Sequence, residues 1–149
     1  MKMAVDKNIK ILVVDDSIGI RLAAKKIFKN LGYDNITIAD DGTTGLEKLK
    51  KEPFDLVVAD WNMPKMSGIE LLKEMQKDSS LKEIPFLLVT GDEDQDNIMK
   101  AIQEGISNFM SKPYNAKVLE SKINRIFDFK KELSQREKLA VKKHVSLSS

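Results

Sequence analysis

The sequence predicts an α/β fold: five strands alternating with five helices, assembled as a doubly wound parallel sheet covered on both faces. Three observations carry this reading. Short runs such as Ile11 to Val14, Leu56 to Ala59 and Phe86 to Val89 are apolar without alternation, as in strands buried on both sides. Between them lie segments whose apolar residues recur at helical spacing. Acidic or hydroxyl residues, not long loops, close the strand runs, and in open parallel sheets that carboxyl edge is where ligands collect.

The elements follow in order. Met1 to Asn8 is polar and reads as loose. Ile9 to Val14 forms the first strand and ends on Asp15-Asp16. Ser17 is placed to cap a helix with Ile20, Ala24, Ile27, Phe28 and Leu31 on its inner side, and Gly32 to end it. Asn35 to Ala39 is a short second strand, followed by the turn Asp40-Asp41-Gly42. A second helix runs to about Lys51 and buries Leu46 and Leu49. The third strand, Asp55 to Asp60, stops at Trp61-Asn62-Met63-Pro64, so Asp60 stands at its tip. Ser67-Gly68 opens a third helix with Leu71, Leu72 and Met75 inward. Ile84 to Thr90 is the fourth strand, with Pro85 tolerated at its start. Gly91-Asp92-Glu93-Asp94 leads to a fourth helix with Ile98, Ala101 and Ile102 inward. Ser107 to Met110 is the fifth strand, closed by Ser111-Lys112-Pro113. The fifth helix starts near Asn115 and buries Leu119, Ile123, Ile126 and Phe127. Pro113 fixes the turn after Lys112 in either a cis or a trans peptide.

Two parts are expected: a domain at 9–129 and a helical or disordered C-terminal extension at 130–149. Glu132 and Arg136 have the i, i+4 spacing of a helical ion pair, so the fifth helix can run on into the extension. Ile126, Leu133 and Ala140 read either as one face for a partner or as part of a solvated, fraying helix end.

Composition narrows the function. Across 149 residues, 25 basic and 23 acidic side chains balance to +2, which gives nucleic acid no electrostatic case as main partner. Cysteine is absent, so thiolate catalysis, disulfides and cysteine metal sites are excluded. The single histidine, His144, can form no histidine cluster. No apolar run reaches the length of a membrane span, and the N-terminus lacks a signal-peptide core, so no membrane insertion and a cytoplasmic location are expected.

Alternation brings the ends of strands one, three, four and five to a single sheet edge. Asp15, Asp16, Asp60, Thr90 and Lys112 fall there. Like charges about 4 Å apart cost on the order of 4 kcal/mol at an effective dielectric near 20, so three converging carboxylates call for a cation. A hard divalent ion suits them, and Mg²⁺ takes a few carboxylates with waters and a phosphate oxygen. Asp16 and Asp60 are the expected direct ligands, with Asp15 acting directly or through water. A carboxylate beside Mg²⁺ can attack phosphorus, giving an acyl phosphate. The Lys112 ammonium and the Thr90 hydroxyl then serve the phosphoryl oxygens.

Asp15-Asp16, the segment Asp60-Trp61-Asn62-Met63-Pro64 with Ser67-Gly68, Thr90-Gly91 and Lys112-Pro113 resemble the receiver domain of response regulators, in order and at family-like spacing over roughly Lys10 to Phe129. The segment around Asp60 resembles the single-domain chemotaxis regulators, CheY-like proteins. The resemblance implies a sheet in the order 2-1-3-4-5, the flavodoxin-like arrangement of which CheY is itself a standard example. It implies that Asp60 accepts a phosphoryl group from a sensor histidine kinase in two-component signalling. It further implies Mg²⁺ held by Asp15, Asp16, Asp60 and the backbone carbonyl of Asn62. Thr90 and Lys112 would bind the phosphoryl oxygens, and Phe109 would be the switch aromatic that turns inward behind Thr90. Gly91, Asn62 and Asp92 flank the path of an attacking water and would set the lifetime of the phosphorylated state. Slow self-dephosphorylation would be the protein's own turnover, with no enzyme activity beyond it.

The implied output is the face formed by helix four, strand five and helix five, met by a flagellar motor switch or another signalling protein. A homodimer is expected through that face or through the C-terminal helix. A phosphorelay intermediate, passing its phosphoryl group to a second histidine protein, is the first alternative. A Mg²⁺-dependent phosphohydrolase is the second, opposed by Asn62 at the position where such enzymes need a second acid. Nucleotide-binding signatures G-x-G-x-x-G and G-x-x-x-x-G-K-[ST] are both missing.

Overall fold

The computed structural model describes residues 5–91 and 95–148, with side chains described through 140 apart from residue 95. Ten elements alternate along the chain: β1 (Ile11–Val14), α1 (Ile18–Asn30), β2 (Ile36–Ala39), α2 (Gly42–Lys51), β3 (Leu56–Asp60), α3 (Gly68–Gln76), β4 (Phe86–Thr90), α4 (Gln95–Glu104), β5 (Asn108–Ser111) and α5 (Ala116–Ser148). The strands form one sheet in the order β2-β1-β3-β4-β5, and every pairing is parallel. The expected doubly wound sheet and its strand order are both observed.

Period-two alternation splits the sheet into two faces. Leu12, Val14, Val57, Ala59, Phe86 and Leu88 pack with Leu49 of α2, Leu71, Leu72 and Met75 of α3 and Ala101 of α4. Ile11, Val13, Leu56, Val58, Leu87 and Val89 pack with Ala24 and Phe28 of α1 and Leu119, Ile123 and Ile126 of α5. The three central strands are buried at every position, which is why they read as unbroken apolar runs.

Local chemistry sets the helix starts. Ser17 caps α1 by accepting from the Ile20 N–H at 3.3 Å, and Gly32 closes it at φ 98°, a left-handed conformation open to glycine. The expected Asp40-Asp41-Gly42 turn is the cap of α2: Asp41 accepts from the Thr44 N–H at 2.8 Å, and Gly42 is already helical. Ser67 caps α3 in the same way through Glu70. One expected inward residue is not inward. Ile102 is 49 % exposed: of Ile98, Ala101 and Ile102 only Ala101 is fully buried in the core, and Ile102 lies with exposed Met99 on the outer side of α4. α5 runs through residue 130 without a break, so Lys130 to Ser148 continues the helix past the sheet.

The Asp41 cap has a pH signature. The Thr44 N–H holds the Asp41 carboxyl below the usual range against the opposing effect of burial, with Lys65 at 3.8 Å adding to the depression. A depressed carboxyl stabilises the fold above its unfolded pKa of about 3.9, and that contribution fades as pH falls through the folded value. Asp41→Ala is therefore expected to lower the unfolding free energy by about 1 kcal/mol at pH 7. Urea titrations of both proteins should show the gap closing below about pH 4.

Candidate functional site

The site lies where four strands end together. Asp15 follows β1, Asp60 and Thr90 are the last residues of β3 and β4, and Lys112 follows β5. Backbone hydrogen bonds align these tips: Asp15 N–H to Ala39 C=O at 3.1 Å, Trp61 N–H to Val89 C=O at 2.9 Å, and Lys112 N–H to Thr90 C=O at 2.9 Å. The Lys112-Pro113 peptide is cis.

Strand parity decides which side chains meet. Asp15 continues the alternation of Ile11 and Val13, Asp60 that of Leu56 and Val58, and Lys112 that of Met110, all on the α1/α5 side. The Lys112 Nζ accordingly lies 3.1 Å from Asp60 Oδ2 and 3.2 Å from Asp15 Oδ2. Thr90 and Phe109 have the opposite parity. Thr90 is almost fully buried, and half-buried Phe109 packs against the α2–α4 side of the sheet with the Lys122 ammonium 5.2 Å over its ring.

Asp15 is fixed three ways. Its Oδ1 accepts from the Ser17 N–H at 2.9 Å, its Oδ2 faces Lys112, and its carbonyl accepts from the Arg21 guanidinium at 2.6 Å. Asp60 is held from behind by Gly68: a Cβ there would collide with the Asp60 carbonyl oxygen, so the start of α3 can close on the strand tip only at a glycine. Gly42 plays the matching part in the adjoining loop, where a Cβ would come within 2.6 Å of the Met66 carbonyl. Lys65, between Pro64 and Met66, is the one described non-glycine residue with a left-handed backbone, at φ 66°.

Charges here are strongly perturbed. Burial pushes the Asp60 carboxyl above its ordinary range; Lys112 pulls it back, and Asp15 and Asp16 add repulsion. For Lys112, burial pulls the ammonium down, but its contacts with Asp60 and Asp15 outweigh this and raise it, so it stays charged at neutral pH. Tyr114 joins the site without having been expected there. Its hydroxyl is pushed up to about 12 by burial and by the fields of Asp15 and Asp60, which marks it as a neutral neighbour of the acids. Only its place two residues after Lys112 hints at this in the sequence.

Carboxylate oxygens of Asp15, Asp16 and Asp60 lie within 4.8 Å of one another, two of these residues buried and Asp16 exposed. An all-oxygen, triply acidic set of that size with one side open to solvent fits a hard divalent cation such as Mg²⁺. Among the expected site residues, Asp15, Asp16, Asp60 and Lys112 are thus brought together. Asn62 lies in the exposed loop after β3. Gly91 is exposed next to Thr90, and a Cβ added to it would meet nothing within 4 Å. Asp92 lies outside the described residues.

Comparison with known proteins agrees with this geometry. Residues 11–124 match the response regulator receiver domain family. The chain is 43% identical over 128 residues to chemotaxis protein CheY-3 of Vibrio cholerae serotype O1, covering 86% of this chain and 98% of that protein. It is 44% identical over 119 residues to chemotaxis protein CheY of Pseudomonas aeruginosa, covering 80% and 96%. The solved structure of the V. cholerae chemotaxis response regulator CheY4 superposes with a TM-score of 0.75 at 32% identity, covering 80% of this chain and 98% of that one.

A raised carboxyl pKa destabilises the fold as pH climbs through it, because the unfolded chain ionises more readily. In the absence of divalent cations, Asp60→Asn is expected to raise the melting temperature at pH 7. The advantage should vanish below about pH 4, where both the native and the unfolded carboxyl are protonated; calorimetry at the two pH values checks this.

Proposed function

The chain belongs to the response regulator receiver domain family, and from that premise we propose that it is a phosphorylation-operated switch of the chemotaxis type, with Asp60 as phosphoacceptor. The observation that carries this reading is the meeting of Asp60, Asp15 and the Lys112 ammonium within 3.2 Å at the carboxyl edge of the sheet. In this reading the receiver occupies 9–129, and 130–149 is a C-terminal extension of it, helical through Ser148.

An Asp60 oxygen attacks the phosphorus of a phosphohistidine on a sensor kinase. The P–N bond breaks, the imidazole leaves with its electron pair, and an acyl phosphate forms. Asp15, Asp16, Asp60 and the Asn62 carbonyl are the groups that would hold Mg²⁺, whose chemistry when bound is to neutralise phosphoryl oxygens and offset the repulsion among the carboxylates. Lys112, already charged and within hydrogen-bonding distance of Asp60, supplies the second positive charge. It exchanges a carboxylate oxygen for a phosphoryl oxygen with little movement. The Thr90 hydroxyl, at the tip of the neighbouring strand, donates to another phosphoryl oxygen.

Phosphorylation adds about 1.5 to 2 negative charges at pH 7 beside Thr90 and Lys112. Drawing Thr90 toward them vacates space on the α4 side, and Phe109, which lies on β5 two pairing positions before Ser111, the partner of Thr90, turns into it. Moving such an equilibrium from 1:99 to 99:1 takes about 5.5 kcal/mol of differential interaction, which new charge-assisted hydrogen bonds in a buried cluster can largely supply. The altered surface is that of α4, β5 and α5, where Met99 and Ile102 of α4 stand exposed and Lys122 lies over Phe109. Its partner is an output protein such as a flagellar motor switch or another signalling protein.

Gly91 leaves the site open to water, and with Asn62 and Asp92 it sets the lifetime of the acyl phosphate. Hydrolysis is slow and is the only turnover the chain performs by itself. No helix among the described residues is long and apolar enough to cross a membrane, which accords with a cytoplasmic switch.

Incubation with Mg²⁺ and acetyl phosphate, followed by intact mass measurement, is the direct test. The wild-type chain should gain one alkali-labile phosphoryl group and Asp60→Asn none. Equal gain in both proteins would remove Asp60 from the role.

A further inference from the structure

The sheet edge opposite Asp60 carries a second surface feature. α5 leaves the domain there, and between its overhang and the residues leading into β4 and β5 lies a groove of about 720 Å³. Pro85 and Ile106 form its floor on the domain side; Phe129 and Leu133 form its apolar wall on the helix. This wall continues the helix face that is buried at Ile126. The same stripe passes from 4 % exposed at Ile126 to 59 % at Phe129 and 42 % at Leu133 once the sheet ends beneath it.

The stripe has two features of a covered surface. Every residue from Phe129 to Ala140 is exposed, so the overhang gains little tertiary packing, and a free helix of that length is marginal in water. It also carries a self-complementary charge pattern. Lys130 and Glu137 both line the groove, flanking Leu133 and Ser134. Seven residues apart, they sit about 10 Å apart along one helix and cannot pair within it. A second copy of the helix laid antiparallel, with its centre between Leu133 and Ser134, places Lys130 of each copy opposite Glu137 of the other. Leu133 then packs against the small Ser134. A parallel copy would instead oppose lysine to lysine and glutamate to glutamate.

We propose that the overhang of α5 and its groove form a two-fold, antiparallel homodimer interface centred on Leu133 and Ser134. In that arrangement the distal half of each helix runs across the partner's sheet edge at Pro85 and Ile106. The overhang from Lys130 to Ser148 is about 28 Å long and about 10 Å wide, so one helix strip covers roughly 300 Å². Residues 130–137 of the two helices face each other and 138–148 of each lie on the partner's groove, which amounts to roughly 900 Å² counted over both copies, the size of a weak, concentration-dependent interface. The Asp60 edge stays open in both copies.

Sedimentation velocity of the full chain from about 5 to 500 μM is the experiment. The expected result is a rise toward twice the 16.9 kDa chain mass. Glu137→Lys and Lys130→Glu should each weaken the dimer about tenfold, and the two together should restore it. Leu133→Asp should leave a monomer with unchanged circular dichroism in the strand and helix region and unchanged phosphoryl uptake. A chain that stays monomeric throughout overturns the proposal and leaves the groove to a different protein. A dimer indifferent to these substitutions, or one lost on Met99→Asp in α4, overturns it in favour of another face.

Discussion

Everything at the carboxyl edge depends on one cation, the Lys112 ammonium, lying between two buried carboxylates. Without it, the tips of β1 and β3 would face each other as like charges in a site from which most water is excluded, and the mutual cost would rise steeply as the dielectric fell. With it, Asp15 and Asp60 are drawn to one point, and each retains an oxygen that the lysine does not engage. Asp15 commits that oxygen to the Ser17 N–H; Asp60 commits its own to no hydrogen bond among the described residues. The asymmetry separates the two: Asp15 is the anchored member, and Asp60 keeps the oxygen that the proposed phosphoacceptor would use. Arg21, bonded to the Asp15 carbonyl, ties the same anchor to the first turns of α1.

The backbone around the cluster is built to hold it still. Gly68 lets α3 begin directly against the Asp60 carbonyl, and Gly42 lets the Met66 segment close on the start of α2. Neither glycine has a positive φ, so what they provide is space, not freedom. The loop between Asp60 and Gly68 is thereby clamped at both ends while Asn62, Pro64 and Lys65 stay at the surface. Rigid strand tips with an adjustable lysine and a buried hydroxyl suit the proposed role, in which the site would accept a bulky anion without unfolding.

Much of this is legible in the chain itself. Unbroken apolar strands, capped helices and acids at strand ends define an α/β sheet and its chemical edge from periodicity alone, and the acids and the lysine expected at that edge meet there. The strand order is not readable from periodicity; it comes from family resemblance, because parallel strands joined by helices can be ordered in several ways. Ile102 departs from expectation because α4 is short and amphipathic with apolar residues on two sides, and spacing cannot say which side meets the sheet. Tyr114 escapes sequence reasoning because a tyrosine two residues past a lysine carries no motif; only burial against the acids reveals its position. The Lys65 backbone angle, likewise, has no sequence mark, since lysine is not a residue chosen for left-handed turns.

α5 gives the molecule a mechanical property that its site chemistry alone would not. At 33 residues it is about 50 Å long, and its first turn begins just after Lys112, Pro113 and Tyr114, while its last turns stand far beyond the opposite edge of the sheet. Leu119, Ile123 and Ile126 seat it on the sheet, and from Phe129 onward it projects beyond the sheet. A tilt of about 5° about that seat, small enough to be absorbed by side-chain repacking, would carry the far tip through roughly 3 Å. Any rearrangement that tilts α5, including one that the proposed phosphorylation of Asp60 would bring, is therefore converted by simple leverage into a larger displacement at the distal end. A helix ending where the sheet ends would have no such reach.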